Sequence, residues 1–292
     1  MIYLLLILAT LANTTKSIIC KKIGQNNRDM RGVFFLNANI FAIGALTILL
    51  CNLGNPERLR NVSGFSLAWA GIFSFFLLFT QLMQILAMSR GFVSLSNLIY
   101  SCGFLIPIFY CALFLNEPLS LWQLVGIAIL FCSLVIVLPP EKNGKFSFLW
   151  LVFILFAMLG SGTNAIIQKI HQASDFRDEL VPFLILSLGF AAILSLLASL
   201  LSPGESRRQE LYRGRGSWLL MLLGGIIVGG MNVANLTLAG RLPAVIQFPV
   251  YNVCSMLLTA LAGRVLFGEK IGRRKLVGFF VGLCAITVIG LL

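Results

Sequence analysis

The chain reads as long apolar runs separated by short polar breaks. The runs cover about 2–20, 33–51, 65–88, 92–115 and 119–138, then about 148–167, 181–201, 218–239, 243–266 and 276–292. Each is close to the roughly 20 residues that a helix needs to cross about 30 Å of hydrocarbon. None alternates with period two over about ten residues, which excludes a membrane β-barrel. The pattern predicts an all-α polytopic membrane protein with ten transmembrane helices. The longest polar loops are 52–63 and 202–216.

The break Pro139-Pro140-Glu141-Lys142-Asn143-Gly144 divides the spans five and five. The predicted organisation is a first five-helix repeat over 1–138, a loop over 139–147, and a second five-helix repeat over 148–292. Leu115-Asn116-Glu117-Pro118-Leu119, followed by Gln123-Leu124-Val125-Gly126, returns as Phe267-Gly268-Glu269-Lys270-Ile271, followed by Lys275-Leu276-Val277-Gly278. The same register sets Cys132 on Cys284. A register one residue different sets Arg90 on Arg241, Gln81 on Asn232, Gln84 on Asn235, Ser96 on Gln247 and Tyr100 on Tyr251. A third sets Lys22-Ile23 on Lys169-Ile170 and Ser17 on Asn164. The second and seventh spans match poorly. A unit of five spans, duplicated, must sit upside down relative to its copy, so the expected architecture is an inverted repeat.

Composition agrees with the spans. Hydrophobic residues make up 59% and charged residues 11%, with a mean hydropathy of +0.96; soluble domains carry about 25% charged residues. The net charge of +12 is read as basic loops that fix membrane orientation rather than as a nucleic-acid surface. Loops after odd-numbered spans hold most of the Lys and Arg, from Lys21 and Lys22 to Lys275. Loops after even-numbered spans hold Arg58, Arg60, Lys169, Arg177 and Arg241. That bias predicts odd loops in the cytoplasm and both termini outside. Residues 1–20 lack a basic start and a convincing cleavage site, so they are read as a retained first helix. Seven cysteines are spread along the runs without a CxxC pair and are read as small packing residues.

Ten spans in two five-helix halves, each ending in (Asn/Gly)-Glu-x-(Leu/Ile) followed by x-x-x-Leu-Val-Gly, resemble the drug/metabolite transporter superfamily, EamA type. The resemblance covers nearly the whole chain. It implies alternating access and a small organic substrate such as an amino acid or nucleobase, often exported. It also implies both termini in the cytoplasm, opposite to the charge bias.

Polar side chains inside spans face the bundle interior or a wet cavity, because hydrocarbon does not solvate them. Gln81 and Gln84 share a face of the third span, and Asn232 and Asn235 share the matching face of the eighth. Tyr100 and Ser96 in the fourth match Tyr251 and Gln247 in the ninth. Asn13 and Lys16 lie in the first span and Asn164 in the sixth. The candidate substrate site is therefore Asn13, Lys16, Gln81, Gln84, Tyr100, Asn164, Asn232, Asn235, Gln247 and Tyr251. Amides and phenols would suit a small polar solute with a planar or apolar part. The competing reading is that amides and hydroxyls hold helices together, and that Lys16 snorkels to the headgroups.

All ten acidic residues read as loop or helix-end residues. With no carboxylate mid-membrane, a lipophilic-cation pump and simple carboxylate proton coupling are disfavoured. Glu117 and Glu269 are read as helix N-terminal charges. Pro107, Pro243 and Pro249 would loosen the fourth and ninth spans. Gly225 with Gly229, and Gly278 with Gly282, read as helix-packing pairs. His171, the one histidine, is read as a solvated loop residue. No catalytic constellation, metal spacing or cofactor motif is found. The expected protein is a non-enzymatic transporter of the cytoplasmic membrane, secondary-active or facilitative. Its expected partners are a small-molecule solute and membrane lipids, and it would be a monomer or weak homodimer. The alternative is a flippase for a lipid-linked headgroup.

Overall fold

The structure is a computed structural model, and it describes residues 2–24, 30–60, 62–88, 96, 99–137, 148–202, 215–267 and 272–291. Among the described residues it is all-helical, with no strand. The helices are α1 (Ile2–Gly24), α2 (Met30–Asn52), α3 (Glu57–Arg60), α4 (Gly64–Met88), α5 (Leu105–Phe114), α6 (Leu121–Val137), α7 (Phe148–Ala173), α8 (Leu180–Leu201), α9 (Arg215–Ala239), α10 (Ala244–Phe267) and α11 (Arg273–Leu291). Short 3-10 turns, Cys102–Phe104 and Arg177–Glu179, precede α5 and α8.

Five helices are long and apolar enough to cross a membrane: Met30–Asn52, Gly64–Ala87, Phe148–Ala173, Arg177–Leu201 and Met221–Ala239. Five shorter apolar stretches, Ile2–Lys16, Ile99–Phe114, Leu121–Ser133, Ala244–Leu258 and Leu276–Ile289, fall in the other predicted runs. The chain thus has the character of a multi-pass membrane protein.

Several helices run past their predicted ends. The sequence pattern ends the sixth span near 167, yet α7 continues to Ala173 and has 26 residues. At 1.5 Å per residue that is about 39 Å, longer than the hydrocarbon core. Lys169 and His171, expected in a loop, are therefore helical. Arg31 likewise lies in the first turn of α2 rather than in a loop. Backbone hydrogen bonding carries a helix on wherever its polar side chains find partners, and hydropathy does not see those partners.

The helices gather into two compact units. One is Met1–Leu78 with His171–Gly240; the other is Phe79–Ile170 with Arg241–Leu292. Neither follows the repeat boundary, because each draws helices from both halves of the chain.

In the first unit the most extensive contact is α2 with α8. The buried face of α2 is Phe34, Asn37, Phe41, Gly44 and Ile48, a three-four spacing. The buried face of α8 includes Leu184, Leu188, Ala191, Ser195 and Ser199. Arg31 Nε donates to Ser199 O at 3.2 Å, and Ser199 Oγ donates to Arg31 O at 2.9 Å. Gly44 lies against Leu188, so the two helices run antiparallel. At Gly44 α2 also meets α9, through glycines. A Cβ on Gly229 would sit 2.8 Å from Gly44 O, a backbone atom that cannot turn aside. Gly229 thus packs within the chain, as small residues at membrane helix contacts do. Gly229→Val is expected to cost about 1–3 kcal/mol through overpacking, read as a lower melting temperature in detergent. Gly230→Val, with nothing within 4 Å of the added carbon, should change little.

In the second unit α6 packs along α11. Gly126 lies against Ile289 and Ser133 against Gly282, so this pair is also antiparallel. Ser133 Oγ donates to Gly278 O at 2.6 Å. The α6 N-terminus is closed by a reciprocal cap: Gln123 N–H donates to Ser120 Oγ at 3.1 Å, and Ser120 N–H donates to Gln123 Oε1 at 3.0 Å. Phe104, Ile108 and Leu130 form the core with Phe248, Val253, Phe279 and Ile289. Gly103 brings the fourth span against α7, where an added Cβ would meet Met158 O at 2.9 Å.

Candidate functional site

The candidate residues divide between the units. Asn13, Lys16, Asn232 and Asn235 belong to the first, and Gln81, Gln84, Tyr100, Asn164, Gln247 and Tyr251 to the second.

In the first unit α1 packs along α9. Asn13, Lys16 and Asn235 are half-buried. Asn232 is buried and turns its amide onto its own helix, with Nδ2 donating to Val228 O at 2.8 Å.

In the second unit a polar group forms where Ser96 and Tyr100 meet α4 and α7. Trp150 is 1% exposed, and its Nε1–H donates to Ser96 Oγ at 2.7 Å. Tyr100 packs on the cluster of Trp150, Ile154 and Ala157 and shares a hydrogen bond with the Ser161 side chain. Asn164 Nδ2 donates to Thr80 Oγ1 at 3.5 Å, while Asn164 Oδ1 is buried and accepts no hydrogen bond. Gln81 and Gln84 stand half-buried on α4. On α10, Gln247 is buried and Tyr251, one turn on, is half-buried. The structure therefore brings Tyr100 and Asn164 onto neighbouring faces of one helix contact. There they serve as interhelical hydrogen-bonding groups, whatever else they do.

A second polar centre lies around the repeated motif. Asn116 adopts a left-handed conformation, φ 53°, which a short polar side chain tolerates. The turn ends α5, lets Glu117 N–H reach Cys111 O at 3.2 Å, and aims the carboxylate away from the next helix. Glu117 Oε1 accepts from Lys169 Nζ at 2.7 Å. Glu117 Oε2 accepts from Ala244 N–H at 2.6 Å. Lys169 Nζ also donates to Leu242 O at 2.6 Å. The expectation that Glu117 serves a helix N-terminus thus holds for α10, across the fold, while its own following helix is capped by Ser120. Lys169, read from the sequence as a loop charge, is 3% exposed. Its pairing across 52 residues is invisible to a local reading. One signal was available: Lys22 superposes on Lys169 in the repeat. Position 116 is Asn in one copy and position 268 is Gly in the other, the two residue types that most readily take positive φ. Gly268 and Glu269 lie outside the described residues.

A third centre corrects the reading of His171. The imidazole is fully buried in the last turn of α7, stacked on Phe183 with ring centroids 4.1 Å apart. Its Nε2 lies 3.1 Å from Ser66 Oγ, and Ser66 in turn lies beside Glu179. The sequence shows a lone histidine among charged residues; the fold lays α4 and α8 over it.

Among the described residues, no group of three His, Cys, Asp or Glu side chains could hold a metal ion.

No protein-family model matches the sequence, and no curated protein matches it. The fold itself is matched. The chain superposes on the crystal structure of another protein with a TM-score of 0.77 and 16% sequence identity, over 99% of this chain and 96% of the other. At that identity the likeness speaks for the fold alone.

Proposed function

We propose that the chain is a drug/metabolite-type transporter of ten spans in two inverted halves, moving a small organic metabolite across the cytoplasmic membrane by alternating access. The observation that carries the reading is the pairing of equivalent helices. The two most extensive contacts, α2 with α8 and α6 with α11, join the second span to the seventh and the fifth to the tenth. Both pairs are antiparallel, as helices related by an axis in the membrane plane must be. Polar groups that suit a solute site occur in both units, and Asn164 Oδ1 still lacks a donor.

The test is a thermal-stabilisation screen of the purified protein against amino acids, nucleobases, vitamins and organic anions. A ligand at about 100 times its Kd stabilises by about 2.7 kcal/mol, a readable rise in melting temperature. Tyr251→Ala and Gln84→Leu should remove that rise while leaving the unliganded protein folded. Stabilisation by a lipid headgroup, with none from any soluble solute, would replace this reading with a flippase.

A further inference from the structure

The polar centre around His171 contains more than packing requires. The imidazole lies between Phe183, at 4.1 Å, and Phe65, at 6.4 Å. Ser66 Oγ stands at one nitrogen and the Gln172 amide, at 3.4 Å, stands at the other. Beyond Ser66 lies Glu179, whose Oε2 accepts from Ser63 N–H at 3.0 Å and from Ser63 Oγ at 2.7 Å. With the Gln172 amide donating to Nδ1, the proton of the neutral ring sits on Nε2. A chain of donors then runs from Gln172 through His171 to Ser66, beside the Glu179 carboxylate.

Two properties of this arrangement point the same way. First, the Glu179 partners are neutral hydroxyls and a backbone amide, so its negative charge is retained beside the imidazole. Second, both N–H groups of the charged ring would have acceptors. Nε2–H keeps Ser66, and Nδ1–H gains the Gln172 side-chain oxygen once that amide turns over. Among the described residues, Glu179 is the titratable group that acts on the ring. The elements over it contribute Phe65 and Ser66 from α4 and Phe183 from α8. Asp175, Arg177 and Asp178 in the next turn are exposed, and Lys169 on the same helix is engaged by Glu117.

We propose that His171 is a proton-binding site, neutral while α4 and α8 seal it and charged when they draw away from the end of α7, and that this coupled proton drives the solute. The proton adds to the Nδ1 lone pair from water at Gln172, which is partly exposed; no bond is broken. A charge is costly in a dry aromatic pocket and cheap in water, so the two arrangements differ in proton affinity, and that difference is what couples a proton to a conformational step. The coupling rests on the transport reading; the proton site does not.

Because the chain has one histidine, nitrogen-labelled histidine gives one imidazole to observe. In nanodiscs near neutral pH the expected spectrum is a neutral ring with its proton on Nε2. On acidification, while the protein stays folded, a separate imidazolium signal should grow in. Glu179→Gln should change the proton concentration at half-conversion by about tenfold, the size of effect one nearby carboxylate exerts. Ser66→Ala should act in the same sense. A ring that stays neutral until the fold is lost, or one that titrates with no response to Glu179→Gln, would overturn the proton site. Coupling is read in proteoliposomes with an imposed pH gradient and radiolabelled amino acids and uracil. His171→Gln should keep exchange and lose gradient-driven accumulation. Accumulation equal to the native protein's would overturn the coupling, whereas no uptake by the native protein would count against the transport reading instead.

Discussion

Lys169→Ala should be among the most damaging single substitutions in the chain, with a loss of about 3–5 kcal/mol of stability. The ammonium is almost wholly buried and makes two short hydrogen bonds, to Glu117 Oε1 and Leu242 O. Removing it leaves a carboxylate with a side chain 26% exposed and no counter-charge from this partner. It also leaves a carbonyl without that donor. The pair together is worth much less than either loss suggests, because both ions were taken out of water to form it. Lys169→Met combined with Glu117→Leu should therefore be milder than Lys169→Ala alone. The remaining cost is the Ala244 N–H, an end-of-helix donor that loses its acceptor. Thermal unfolding of the three variants in one detergent checks the order. A double variant as unstable as Lys169→Ala would mean that the side chains matter through packing and not through charge.

Trp150→Ala should cost a similar amount, about 3–5 kcal/mol, from lost contacts and the cavity left behind. Trp150 is the largest of the fully buried side chains and lies with Ala87, Ile154 and Ala157. Met83, Ile99 and Tyr100 pack against the same cluster. Trp150→Phe separates the two contributions. It keeps most of the packing and loses only the bond to Ser96, which is worth about 1 kcal/mol. If the Phe variant proved as unstable as the Ala variant, the hydrogen bond would be the larger part.

The spans were legible because membrane burial leaves a run that nothing soluble can imitate. α2 and α4 fall within a few residues of their predicted bounds. Helix ends were less legible for a specific reason. Arg31, Lys169 and His171 are polar, and polarity near the end of a run looks like water. Each is instead satisfied by a residue far away in sequence: Arg31 by Ser199, Lys169 by Glu117, and His171 by Ser66. Pairing at that separation leaves no local trace. The sequence sets Glu117 and Glu269 in matching motifs, but does not show what Glu117 does, because its carboxylate serves the start of α10 rather than its own helix. The candidate site was read from residue type alone. Type cannot separate Asn232, which turns back onto Val228 O, from Asn164, which keeps a buried oxygen without a donor.

The mixed parentage of the two units bears on how the protein is made. Translation delivers α1 and α2 well before their extensive partners α8 and α9. Likewise α6 must wait for α11. Early spans therefore enter the bilayer with glycine and serine faces such as Gly44 uncovered, held there only by lipid. Assembly is dominated by contacts distant in sequence, which are slow to form and leave partly assembled chains open to wrong partners. Halting synthesis after α6 would strand the earlier helices without the neighbours that complete them. The same dependence makes the two halves natural candidates for reassembly when supplied as separate polypeptides.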